Sequence, residues 1–415
     1  MTLPGRSQVV IIGGGVVGCS VAYHLALRGV TDVTVVERRR LTHGSTWHAA
    51  GLVGQLRTNA GLTQLMRTSV RTYAELEART GYAAGWRGVG SLRVAASAAR
   101  WAELRRMAAL GTSFGLEVHL LSAREALRMF PPLNADGLHG AVWVPSDGYA
   151  DPSQLTQSFA AGARAAGVTI VQDCRVLGFT RDGSRVTTVL TEHGPVECDT
   201  VVNATGMWGT ETARLAGVSD VAVTAVEHQY VVTERRDGIS PDLPTLRDPD
   251  ARIYLKPEGG GLIVGGWEQG TRAPWREIPR DFGVSLFQPD HERFAVLAEA
   301  AAHRIPVFGS LGIQTWVNGP IPFTPDAEPL LGRTAEVDNL FHCCGFSAGI
   351  AAAGGAGAAL AAWIVDSDPG LDVSALDVRR FGPSYRAPDA LMRSAVEAYG
   401  SYYSLSDLEG YRVSG

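Results

Sequence analysis

Residues 8–37 leave few folds open to this chain. An apolar strand over 9–12 runs into glycines spaced G-x-G-x-x-G, at Gly13, Gly15 and Gly18, and residues 19–27 are apolar at helical intervals. The order predicted is strand, tight turn, helix. Gly13 permits the turn, Gly15 lets the backbone approach a pyrophosphate, and Gly18 lets the helix lie close to the sheet. Val16 and Val17 open that helix, where phosphates would meet the positive end of its dipole. A second strand, 33–36, ends at Glu37, nineteen residues after Gly18. A carboxylate there takes both ribose hydroxyls of an adenosine and repels a 2′-phosphate. The Arg38-Arg39-Arg40 run that follows can lie along phosphates or face solvent, and Arg38 is the member placed beside the ligand.

A chain of 415 residues exceeds one compact core, so two domains or two interleaved lobes are expected. Lys plus Arg number 37 against 42 Asp plus Glu, a formal net charge of −5, which offers neither a basic footprint for nucleic acid nor a polybasic membrane anchor. A small-molecule partner is expected instead. Five cysteines, odd in number and without disulfide-framework spacing, point to reduced thiols and a cytoplasmic setting. The first strand also begins too early to leave room for a signal peptide. Residues 345–365 are uncharged over 21 positions, yet mostly Ala and Gly, which suits a helix packed against a sheet or cofactor better than a membrane span. Neither HExxH nor paired CxxC occurs, so no metal site is expected.

A second fingerprint lies downstream. Residues 200–203 read as a strand running into Ala204-Thr205-Gly206, small residues that let the chain approach a cofactor, and two such fingerprints favour FAD over a nicotinamide cofactor. A third strand, 340–344, meets Gly345 and a helix opening near Ser347, Ala348, Gly349 and Ile350, whose N-terminus would stabilise an anionic reduced flavin. Between these lies LTHGSTWHAAGLVGQLR, residues 41–57, without periodicity and suited to a loop threading close to a ligand.

The run GSTWHAAGL in that loop resembles the flavin-attachment segment of dimethylglycine and sarcosine dehydrogenases and dimethylglycine oxidase. NATGMWG, VEHQYVVT with LRDPD, and the stretch from NGP to AGGAG extend the resemblance over nearly the whole chain. It implies a fold similar to D-amino acid oxidase: a Rossmann-type, α/β FAD-binding domain interleaved with an α+β substrate domain built on an antiparallel sheet. It further implies that Gly44, Ser45, Thr46, Leu52 and Val176 hold the FAD and that His48 is bonded to it covalently. Active-site roles follow for His228 and Tyr254, an imidazole that titrates near neutral pH and a phenol that hydrogen-bonds without charge. Alternation from Val226 puts His228 and Tyr230 on one face of a strand, Gln229 and Val231 on the other.

The cofactor domain is expected over 1–85, 145–220 and 315–384, the substrate domain over 86–144 and 221–314, and a polar, Tyr-rich tail over 385–415. Residues 145–155 read as a turn-rich bridge, DLPTLRDPD as a Pro-rich turn, and WVNGPIPFTPD as an irregular return to the cofactor domain. The activity implied is demethylation of an N-methylated amino acid such as dimethylglycine or sarcosine. Hydride passes to flavin N5, the iminium hydrolyses to release an aldehyde, and oxygen or an electron-transfer protein reoxidises the flavin. The rival readings are oxidation of another amine in specialised metabolism, and a flavin-carrying electron-transfer subunit of a larger complex. Longer members of the family continue into a folate-binding domain, so a partner subunit or a missing C-terminal domain is expected as well.

Overall fold

A computed structural model of the chain describes residues 2–405. Its first sheet is built around the strand Arg6–Ile12, which pairs in parallel with Val33–Val36 on one side and with the end of Gly194–Asn203 on the other. Thr169–Val171 and Leu340–Cys344 extend the parallel core outward, and the hairpin Val176–Asp182 with Arg185–Thr191 continues it antiparallel. The central strands, residues 9–12 and Val33–Val36, are nearly continuous buried runs of Val and Ile because the core packs on both faces, whereas the hairpin is partly exposed.

The glycine-rich segment expected to pack tightly forms the helix Gly349–Asp366, lodged against the helices Val16–Leu27 and Ala60–Thr80. A Cβ on Gly355 would lie 1.9 Å from the Leu65 carbonyl oxygen, and one on Gly357 would lie 2.3 Å from Ser20 Oγ. Backbone therefore meets backbone. The helix is apolar and long enough to cross a membrane by composition alone, but its residues are spent on this core contact.

The second sheet has eight strands. In spatial order they are Ile313–Phe323, Thr224–Thr233, Gly261–Gly266, Ile253–Glu258, Thr245–Asp248, Ser91–Ala95, Gly140–Val144 and His119–Leu121, antiparallel except for the pair Thr245–Asp248 with Ser91–Ala95. A third, small sheet joins Leu52–Val53, Gly148–Ala150 and Trp86–Arg87.

Three local expectations are corrected. The Pro-rich turn contains the strand Thr245–Asp248, because its apolar Leu246 is wholly buried between two neighbours. The bridge at 145–155 holds the strand Gly148–Ala150 and then the helix Pro152–Ala165, capped by Asp151. WVNGPIPFTPD is no irregular return: Ile313–Phe323 is an eleven-residue strand on the edge of the second sheet. Pro320 and Pro322 are tolerated there because an edge strand has one side with no ladder to donate to. The tail forms the helix Pro388–Gly400, and its last residues, 406–415, lie outside the described part.

Gly355→Ala should lower stability by about 1–3 kcal/mol, since the new methyl must displace the Leu65 backbone. Gly382→Ala, with nothing within 4 Å of its Cβ position, is the control and should leave the thermal unfolding midpoint unchanged.

Candidate functional site

A cavity of about 1360 Å³ runs from the glycine turn to the inner face of the second sheet. At the turn, two glycines are required by the protein's own packing. A Cβ on Gly13, at φ +113°, would meet the Ala204 carbonyl oxygen at 2.4 Å, and one on Gly18 would meet the Gly13 oxygen at 2.0 Å. Gly15 differs: its Cβ position faces the cavity, with only Thr46 Oγ1 at 3.2 Å. Glu37 lines the same end, buried, its Oε2 accepting from Gly14 N–H at 2.7 Å and its Oε1 from Arg39 N–H at 2.8 Å. Burial raises its pKa while the two amides pull it down. The carboxylate thus ties the turn to the end of its neighbouring strand as well as facing the cavity. Arg38 lies over the Trp208 ring at 4.8 Å and donates to the Arg280 carbonyl.

Of the residues singled out from sequence, Gly13, Gly15, Val16, Val17, Glu37, Arg38, Gly44, Ser45, Thr46, His48, Leu52, Val176, Thr205, Gly206, Ser347, Ala348, Gly349, Ile350, His228 and Tyr254 all line this cavity. Gly18 and Gly345 do not. Gly18 is the contact between helix and strand, and Gly345, at φ +76°, backs onto Thr324 and Val223.

Two helix N-termini point at the cavity, those of Val16–Leu27 and Gly349–Asp366; neither is capped by the side chain of the residue before it, although Val16 N–H donates to Thr46 Oγ1 at 3.3 Å. Helices following Asn59, Ser97, Ser122, Asp151 and Asp290 are capped by that side chain. Free N–H groups facing a cavity are the donors a dinucleotide's phosphates and an anionic ring edge require. The residues present therefore fit a dinucleotide cofactor, with one addition. His48 is buried, its Nε2 has no hydrogen-bond partner, and burial holds its pKa down at about 4, so the imidazole is neutral. Gly319 packs directly against it: a Cβ there would lie 2.6 Å from His48 Cε1. That glycine is clearance for the ring.

At the far end, His228 Nε2 and Tyr254 Oη are 2.6 Å apart. Register explains how they meet: Tyr254 lies opposite Gly265, whose neighbour across the next ladder is Tyr230, two residues from His228. A Cβ on Gly265 would strike Tyr254 Oη at 2.4 Å, so the glycine gives the phenol room to lean toward the imidazole. The expectation that His228 titrates near neutral pH is corrected, because burial first, and the neighbouring His48 and Arg293 next, depress it to about 3.

The same sheet row continues as Arg247 opposite Tyr254, and Arg93 opposite Arg247. Both arginines line the cavity, joined by Arg57 from the loop. Burial, then Arg247, lowers the Arg93 pKa to about 10, and its guanidinium donates to Met107 Sδ at 3.6 Å. Sequence reading passed over these cations. Arg93, a lone charge inside the apolar strand Ser91–Ala95, was the available signal. The tail adds Tyr402 and Tyr403 to the lining. Among the described residues no group of three or more His, Cys, Asp or Glu is placed to hold a metal ion.

His48 and His228 are neutral when folded and take up a proton on unfolding below their ordinary value of 6.5. Their contribution to stability is full above pH 6.5 and is lost as pH falls toward 4 and 3 respectively. The thermal midpoint should drop across that window, and His48→Gln, which cannot protonate, should drop less steeply.

Residues 8–363 match the family described as FAD dependent oxidoreductase. The chain is 40% identical over 411 residues to human mitochondrial sarcosine dehydrogenase, covering 97% of this chain and 44% of that protein. It is 36% identical over 405 residues to 4-methylaminobutanoate oxidase (formaldehyde-forming) of Paenarthrobacter nicotinovorans, covering 97% and 49%. The chain thus spans about half the length of these relatives. Among solved structures, L-proline dehydrogenase from P. horikoshii superposes with a TM-score of 0.82 at 27% identity, over 91% of this chain and 98% of that one.

Proposed function

The chain belongs to the FAD-dependent oxidoreductase family, and we propose that it oxidises the carbon–nitrogen bond of an N-methylated amino acid, such as sarcosine or dimethylglycine. The products are the demethylated amine and an aldehyde, formed when water adds to the oxidised substrate. The observation that carries this reading is the row Arg93, Arg247, Tyr254 on adjacent strands, with His228 beside its end. Two guanidiniums in a largely buried cavity call for an anion, and a phenol–imidazole pair next to them meets a nitrogen one or two bonds away. An amino acid presents its carboxylate and amine in that order.

FAD, when bound, supplies the acceptor for the hydride leaving the carbon beside nitrogen. Glu37 and the first turn of the helix Val16–Leu27 would hold its adenosine and phosphates, Val16 N–H already donating to Thr46 Oγ1 at 3.3 Å, and the first turn at Gly349 and Ile350 would face its anionic edge. His48 is the covalent attachment point, supported by its neutral ring and unpartnered Nε2. Arg93, Arg247 and Arg57 hold the substrate carboxylate, while Tyr254 and His228 take the amine proton, so that the nitrogen lone pair assists hydride departure.

Intact mass of the denatured chain tests the attachment: wild type should carry the flavin's added mass, and His48→Ala should lose it while keeping some FAD without a bond. Anaerobic bleaching of the flavin by a panel of N-methyl amines tests the activity. Arg247→Met should raise the substrate concentration for half-maximal bleaching by on the order of ten- to a hundredfold, the value of one charged hydrogen bond, with a smaller effect on the limiting rate. Bleaching by no amine in the panel would favour an electron-carrying subunit instead.

A further inference from the structure

His228 presents a difficulty that its surroundings resolve. With its pKa depressed to about 3, it can pass a proton but cannot keep one at neutral pH. Its second nitrogen, Nδ1, is 2.8 Å from Tyr399 Oη, contributed by the helix Pro388–Gly400, beyond the span of the family match. Tyr399 Oη is 3.0 Å from Glu268 Oε2, and both side chains are buried outside the cavity lining. We propose that Glu268, reached through Tyr399, His228 and Tyr254, is the final acceptor of the proton that the substrate amine must lose. This rests on the amine-oxidising reading above.

Hydrogen-bond direction follows from the charge on Glu268. An ionised carboxylate only accepts, so Tyr399 donates to it, His228 Nδ1–H donates to Tyr399, and the bare Nε2 accepts from Tyr254. The remaining lone pair of Tyr254 then faces the cavity. A substrate ammonium gives its proton to Tyr254, whose own proton moves to Nε2. The Nδ1 proton moves to Tyr399, and the phenol proton of Tyr399 moves to Glu268. Every N–H or O–H bond broken is replaced by one formed. An ammonium and a carboxylate become a neutral amine and a carboxylic acid, and no charge is left on the buried chain between them.

The groups facing Glu268 suit this role. Tyr399 approaches from the C-terminal helix, Tyr254 from the sheet, and Arg293 and Asp290 from the start of the helix His291–Arg304. Arg293 Nε lies 2.9 Å from Glu268 Oε1 without a hydrogen bond between them, and the same guanidinium reaches Glu227 Oε2 through Nη1 at 3.4 Å. Arg272 Nε donates to the other Glu227 oxygen at 2.7 Å, so Arg293 is the cation that faces Glu268, with Asp290 also 4.0 Å from its Nε. Burial then lifts its pKa to about 7, where it can release and regain a proton in each turnover.

Two readouts on the flavin-loaded full chain test the proposal. In pH-difference infrared spectra without substrate, a carboxylic C=O band should appear as pH falls through neutral, vanish in Glu268→Gln and shift in Tyr399→Phe. In anaerobic reduction, the limiting rate should rise with pH through the same midpoint. Tyr399→Phe should lower it at neutral pH by about tenfold or more and move the midpoint up toward that of the free amine. Glu268→Gln should do the same, and the double variant should be no worse than either single one. A missing band, or a Tyr399→Phe profile with its midpoint unmoved, overturns the relay. Failure of every amine to bleach the flavin sinks the amine reading instead, since the band is read without substrate.

Discussion

The structure hangs on a contact between two pieces of backbone: the Gly13 carbonyl oxygen against the Cα of Gly18, too close for any side chain to intervene. It seats the first helix on the first strand and fixes where the free N–H groups of that helix point. The glycine-rich helix Gly349–Asp366 then approaches from the other side by the same means, against Ser20 and Leu65. Both helices deliver N-termini to one cavity because small residues let three helices and a sheet share a space that larger side chains would hold open.

Placed over this rigid floor, the second sheet works by register. Arg93, Arg247, Tyr254, Gly265 and Tyr230 stand in one row across five strands, and a slip of one residue in any pair would turn its side chains to the opposite face. Two glycines behind the site's side chains, Gly265 and Gly319, matter for what they leave empty, letting Tyr254 reach His228 and His48 pack against the edge strand.

How much of this was legible depended on range. The dinucleotide turn is local, so glycine spacing and the acid at Glu37 disclosed it, and the strand Val33–Val36 was found to the residue. Alternation along Thr224–Thr233 gave the shared face of His228 and Tyr230. What escaped was non-local. Thr245–Asp248 is flanked by Pro and Asp and reads as a turn until two neighbours bury it. The arginine row exists only through pairing, and Tyr399 meets Glu268 across 131 residues of chain. The depressed pKa of His228 comes from burial, a property that residue type does not carry.

The edge strand Ile313–Phe323 has a consequence for the molecule's behaviour among its own copies. An exposed edge invites a strand from another chain, and long sheets need a device against it. Here Phe287 N–H occupies the Asn318 carbonyl, Ser45 Oγ occupies the Pro320 carbonyl, and prolines at 320 and 322 have no amide hydrogen to offer. The loop that carries His48 is thus fastened to the groups that would otherwise recruit a stranger. The bonds that order that loop and the bonds that cover this stretch of the sheet edge are in part the same.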